Sequence, residues 1–163
     1  MNNFYKLIFL IPILIFGCTN RTINKNRISQ SINTLNMNLY SNQGKKLFTI
    51  KSPYSIYTSE NNILNLKETT INLFKNNKIE YIINSNKSRL SNNNKLLELN
   101  GNVLIKSLIQ QDDILYANSF RWNIQKSEYL LVGNVKFENK SITLTSNKAI
   151  LNNNKNIIEF FNP

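Results

Sequence analysis

Residues able to make or break bonds are few in this chain and badly placed for it. Its 163 residues include no histidine and one cysteine, Cys18. That removes Cys/His zinc sites, Ser-His-Asp and Cys-His nucleophile systems and any disulfide framework. Nine carboxylates remain, and Asp112-Asp113 is the only adjacent pair. It stands in Gln110-Gln111-Asp112-Asp113 between two strand-like runs, the setting of a solvated loop rather than an acid/base dyad. Four glycines give no phosphate-cradling loop. The expectation is a protein that is not an enzyme and takes no metal or cofactor. The one chemistry these residues favour is acylation of the lone thiol.

Cys18 ends an address. Lys6 precedes an apolar run from Leu7 to Phe16 that contains Pro12. A membrane-spanning helix needs about 20 apolar residues, so this shorter run reads as a signal-peptide core over residues 1–17. Ile15-Phe16-Gly17-Cys18 resembles a lipobox, in which a small residue precedes the cysteine that receives diacylglycerol before cleavage. Two acyl chains on one cysteine give a hold that a single chain does not. The following residues through Asn36 are polar and without sustained period, so residues 18–36 read as a lipidated cysteine and tether. An uncleaved signal anchor is the alternative.

Lys and Arg number 20 against nine acids, a formal +11. Such an excess raises nucleic acid or an anionic membrane as partner. No Arg-rich run or basic helix accompanies it, and roughly a fifth of the chain is Asn. With Lys and Ile also abundant, most of the charge reads as coding bias, and nucleic-acid binding is not expected.

What positions these residues is a body of strands. From Met37 onward apolar residues alternate with polar ones at period two: Phe48 and Ile50, Leu64 and Leu66, Ile71 and Leu73, Tyr81 and Ile83, Ile142 and Leu144. A unit recurs with about 30 residues between copies. Arg89-Leu90 leads to Gly101-Asn102-Val103 as Arg121-Trp122 leads to Gly133-Asn134-Val135, and Ser85-Asn86-Lys87 returns as Ser146-Asn147-Lys148. Asn-rich stretches separate the runs and suit turns. Each repeated Gly marks either a bend within a strand or a hairpin turn. The bend is preferred, because Leu97, Leu99, Val103 and Ile105 alternate straight across it. The fold class is all-β: a single twisted jellyroll domain over residues 37–163, with two antiparallel sheets and open edges.

The anchor, the tether and the repeated pattern of strand, Asn-rich turn, strand and Gly-Asn-Val resemble the LptC-like periplasmic component of the lipopolysaccharide exporter, within the LptA/LptC/OstA-like β-jellyroll group. The resemblance runs from Leu39 to Phe161, with Phe48 to Glu60 as its opening strand and turn. It implies a protein on the periplasmic side of the inner membrane. That protein takes lipopolysaccharide from the jellyroll subunits of an ATP-driven exporter and passes it to a periplasmic bridge jellyroll. The best-known members are held by a membrane helix, from which a lipid on Cys18 departs. The groove expected to hold lipid A acyl chains comprises Leu97, Leu99, Val103, Ile105, Phe120, Trp122, Leu131, Val135 and Phe137. Trp122 reads alternatively as a core plug with its ring nitrogen bonded at the rim. Lys87, Arg89, Arg121 and Lys136 read as phosphate contacts at the mouth or as a solvated face. The last strand, with Ile157, Ile158, Phe160 and Phe161, is expected to be an open edge for strand addition by a partner. The rival reading is a structural or assembly lipoprotein that binds only protein partners through its sheet edges.

Overall fold

The computed structural model describes residues 28–161 apart from 92, 94, 111, 127 and 153–156. The signal segment, Cys18 and the first part of the tether lie outside the described residues. Nine strands follow one another: β1 (Ser29–Tyr40), β2 (Lys46–Thr58), β3 (Ile63–Lys75), β4 (Lys78–Ser91), β5 (Leu96–Ser107), β6 (Ile114–Asn123), β7 (Glu128–Glu138), β8 (Thr143–Asn152) and β9 (Ile157–Phe161). Each pairs antiparallel with the next, so sequence order is also spatial order, and β1 and β9 are the two edges. This corrects the expectation of two sheets, since all nine strands share one hydrogen-bonded ladder. The domain boundary moves as well. Residues 29–36, assigned to the tether from sequence, belong to β1 and pair with β2.

One sheet covers its own apolar face by creasing. In five strands the buried set changes parity in mid-strand: Ser52 then Ser55, Leu66 then Thr69, Ser85 then Ser88, Ala117 then Phe120, Ser146 then Ala149. The two residues between each pair turn outward together, which bends the strand. β5 and β7 cross the crease with an inserted residue and so keep their parity, from Leu99 to Val103 and from Leu131 to Val135, and their registers shift between Asn100 and Val103 and between Val132 and Val135. Backbone at Gly101 and Gly133 takes φ of 77°, and Asn102 and Asn134 follow at 49°. Only a residue free of Cβ crowding, or Asn, enters this left-handed region cheaply. The sequence repeat Ser-Asn-Lys is thus where β4 and β8 cross the crease, and the repeat Gly-Asn-Val is where β5 and β7 do.

Folding the sheet brings distant strands together. β2 and β6 are four strands apart, a gap of about 19 Å in a flat sheet at ~4.8 Å per strand. Yet the rings of Phe48 and Trp122 lie 5.0 Å apart between centroids. The strands β2 to β8 therefore each contribute one half to each of two facing arms, and β9 adds to one arm alone. Alternation cannot tell this from two separate sheets, because both present one apolar face.

At the crease the arms converge, and many of the side chains buried there are small and polar. Ser52, Ser55, Thr69, Ser85, Ser88 and Ser146 are buried there. The Ser52 hydroxyl donates to carbonyls of Tyr54 and Lys67 at 2.8 and 2.6 Å, and Ser85 and Ser146 repeat the pattern toward Lys87 and Lys148 at 3.3 and 2.7 Å. Ser146 also accepts from the Phe161 amide at 3.1 Å, which ties β9 to the crease. These bonds satisfy backbone groups that the bend takes out of the ladder. Beyond the crease the core is aliphatic, with Ile50, Ile71, Ile83, Leu90, Leu97 and Leu131 almost wholly buried. Each contributes about 1.5–3 kcal/mol.

Candidate functional site

Farther from the crease the arms diverge, and between them lies a cavity of about 400 Å³. One arm supplies Ile83, Ile105, Leu115 and Phe137 to its wall. The other supplies Phe120, Trp122, Tyr129 and Leu131. Every one of these follows from strand alternation, with parity reset at the crease. Lys75, Glu80, Gln110 and Asp113 also border the space, beside the β3–β4 and β5–β6 turns, and form its polar edge. The volume falls in the range of pockets that enclose small organic ligands, about 300–1,000 Å³.

Five of the nine predicted groove residues line this cavity: Ile105, Phe120, Trp122, Leu131 and Phe137. Leu97, Leu99, Val103 and Val135 do not, being at most 1% exposed in the packed core. Leu131 is buried as fully and stands level with Leu99 across β6, yet it borders the space, so neither burial nor nearness to the crease separates the two sets. Ile158 of the predicted partner edge borders the cavity too, and Phe160 packs on the core. Phe161 and Ile158 remain partly exposed, and β9 pairs with β8 alone among the described residues. Ile157 pairs with Asn152 in that ladder.

The predicted basic residues lie on the outer face. Lys87 and Arg89 are exposed, and Arg121 pairs with Glu98 at 2.8 Å. Lys136 pairs with Glu138, which also accepts from the Tyr116 hydroxyl at 3.0 Å. The solvated-face alternative describes them, and the cation at the cavity edge is Lys75, 3.5 Å from Glu80. Sequence reasoning passed over Lys75 because it ends a strand without belonging to a repeated motif. Ile142 and Leu144, expected inside, are exposed. β9 covers only the half of β8 beyond the crease, which leaves the half next to the turn with a neighbour on one side.

Trp122 packs between Phe48 and Tyr129, the latter at 5.2 Å, and its ring nitrogen is buried without a hydrogen-bond partner among the described residues. It is therefore not fastened at the rim. Burial, and after it the nearby Tyr81 and Glu80, push the Tyr129 hydroxyl up to about 12. Burial followed by Glu80 and Asp113 raises Tyr81 as well. Both phenols stay neutral at physiological pH and add no charge to the apolar part of the wall. Such a surface can shelter hydrocarbon, and it offers no nucleophile to attack it.

Comparison with known proteins agrees with this architecture. No curated protein matches the sequence. Among solved structures, the crystal structure of LptH from Pseudomonas aeruginosa, described as the LptA homologous periplasmic component of the conserved lipopolysaccharide transport device, matches with a TM-score of 0.58 at 10% identity, over 71% of this chain and 82% of that one. At that identity the likeness is one of fold. Residues 13–162 match the family described as lipopolysaccharide-assembly, LptC-related. That span takes in every described strand, so the chain belongs to the LptC-related lipopolysaccharide-assembly family and its role is non-enzymatic.

Proposed function

We propose that this protein is a periplasmic lipopolysaccharide carrier that shelters acyl chains in the wedge between its arms. It receives lipopolysaccharide from an inner-membrane ABC exporter through that exporter's jellyroll subunits and hands it to a periplasmic bridge jellyroll. Its lipidated Cys18 holds it to the membrane, and the free edge of β9, from Ile157 to Phe161, accepts the partner's strand. The observation that carries this reading is the apolar cavity itself: the arms are not packed shut. Placing a fourteen-carbon chain in water costs on the order of 10 kcal/mol, at ~0.8 kcal/mol per methylene. Apolar walls such as Phe120, Leu131 and Phe137 offset that cost without any covalent step. A protein that bound only protein partners would gain nothing from leaving this space open.

Photo-crosslinking residues at Leu131 and Phe137 are expected to capture lipopolysaccharide in cells, and one at the exposed outer position Thr145 is not. Absence of capture at both wall positions would sink the carrier reading.

A further inference from the structure

The two ends of the strands are built differently. Five of the nine large apolar residues left exposed among the described residues fall at one end. Tyr40 closes β1, Leu108 and Ile109 make the β5–β6 turn, Ile142 precedes β8 and Leu144 lies near its start. Ile109 is 68% exposed and Ile142 52%. These turns are fastened to one another: Lys140 meets Asp112 at 2.7 Å, Asn139 donates to Asp113 at 3.3 Å, and the Leu108 amide donates to the Glu80 carbonyl at 2.8 Å. At the opposite end the described turn residues are mostly Asn, Ser, Glu, Gln and Lys, and among the described residues the large apolar ones left exposed are Ile28 and Ile158, near the start of β9.

The apolar end is also the basic one. Lys75 and Lys140 neutralise Glu80 and Asp112. Lys45, Lys78 and Lys106 have no ion-pair partner among the described residues, and Lys46 rests over the Phe74 ring at 4.5 Å. Gln110, Asp113, Lys75 and Glu80, from these same turns and strand ends, border the cavity.

We propose that this lip seats in the headgroup layer of an anionic lipid bilayer. Short aliphatic tips, a tyrosine and flanking lysines are the composition that holds a surface at a membrane interface, with apolar groups at the acyl boundary and ammonium groups among the phosphates. Docking there sets the cavity's polar edge against a lipid phase, so an acyl chain enters without crossing open water. This goes beyond the carrier reading and stands independently of it, since the lip docks whether or not the cavity is loaded.

The test places an environment-sensitive fluorescent amino acid at Ile109, Ile142 or, as a control, Asn61 of the full chain. Each protein is mixed with vesicles of phosphatidylethanolamine and phosphatidylglycerol or with phosphatidylcholine alone. Blue-shifted emission and quenching by brominated lipid are expected at 109 and 142 with the anionic vesicles and not at 61. Ile109→Asp combined with Ile142→Asp should cut the docked signal, read at Leu108, at least tenfold, and removing one free lysine about fivefold. Equal burial at all three positions, no burial at 109 and 142, or protection that requires a second protein or a second copy of the chain overturns the proposal. Displacement of a fluorescent fatty acid from the cavity should be unchanged in the double variant. Loss of displacement in the unmodified chain with docking intact counts against the carrier reading and leaves the lip standing.

Discussion

The crease and the cavity are the two ends of one wedge, and they are filled by opposite rules. At the crease the interior is small and polar, with Ser52, Ser85 and Ser146 returning hydrogen bonds to carbonyls that the bend removes from the ladder. In the cavity the side chains are large and apolar, and they still leave about 400 Å³ unfilled. The difference shows that angle, rather than residue size, decides where this interior is open. Small polar residues are common at the apex, and the large ones farther out leave the gap unfilled. Stability should therefore reside near the crease and capacity in the cavity.

The strongest test of that division compares two aliphatic truncations. Leu99→Ala, at a buried site beside the crease, should lower unfolding stability by about 2–5 kcal/mol in a urea titration. Ile105→Ala, beside existing empty space, should cost less than half as much and weaken fatty-acid binding. Equal losses from the two would erase the distinction.

Tyr129 sharpens the cavity side. Its folded pKa is raised to about 12, mainly by burial. The native state thus holds the proton more tightly than the unfolded chain, whose ordinary tyrosine pKa is near 10. The resulting stability is fully present below pH 10 and is lost as pH climbs through about 12, by roughly 2–3 kcal/mol at most. Unfolding stability followed from pH 9 to 12 should show this decline, and Tyr129→Phe should lack it.

At the crease, Gly133→Ala should cost about 1–2 kcal/mol, because an L-residue resists this backbone. The added Cβ would also stand 2.8 Å from the Asn118 side-chain amide. Gly101→Ala meets Asn86 at 3.3 Å and should cost less. The reverse order in melting temperature would show that the two bulges are not equivalent in the way their repeat suggests. Smallest of all, Ser85→Ala should lose about 1 kcal/mol, the worth of a hydrogen bond. If it proves neutral by urea titration, water serves the Lys87 carbonyl as well as the hydroxyl does.

Strand type and inward face were legible from β2 onward because Phe48, Ile50, Ile71, Ile83 and Leu131 obey a plain two-residue period and all are buried. The start of β1 was hidden. Thr34, at φ 60°, lies between Ile32 and Leu35, so their spacing of three reads as no period at all, and surrounding Asn residues made the stretch resemble a tether. The bend at Gly101 was visible in the unbroken alternation around it. Its consequence, one doubled sheet in place of two, was not, because a face pattern carries no information about which strands bond to which. Membership of the cavity was only partly readable for a related reason. Leu97 and Leu131 have the same residue type and the same burial, yet only Leu131 borders the space. Val135→Arg, which sequence reasoning would choose to block lipid uptake, falls on a packed position and should unfold the chain, whereas Phe137→Arg addresses the cavity.

A ladder in which sequence order equals spatial order, and whose ends never meet, sets no length for itself. A closed barrel fixes its strand number through its circumference. Here an extra hairpin copied from one repeat, Arg89 to Phe120, would extend the trough by two rungs without disturbing those already laid, in the manner of a repeat array. Reach between two membranes could then be adjusted by duplication, one rung pair at a time, while the cross-section presented to the cargo stays the same.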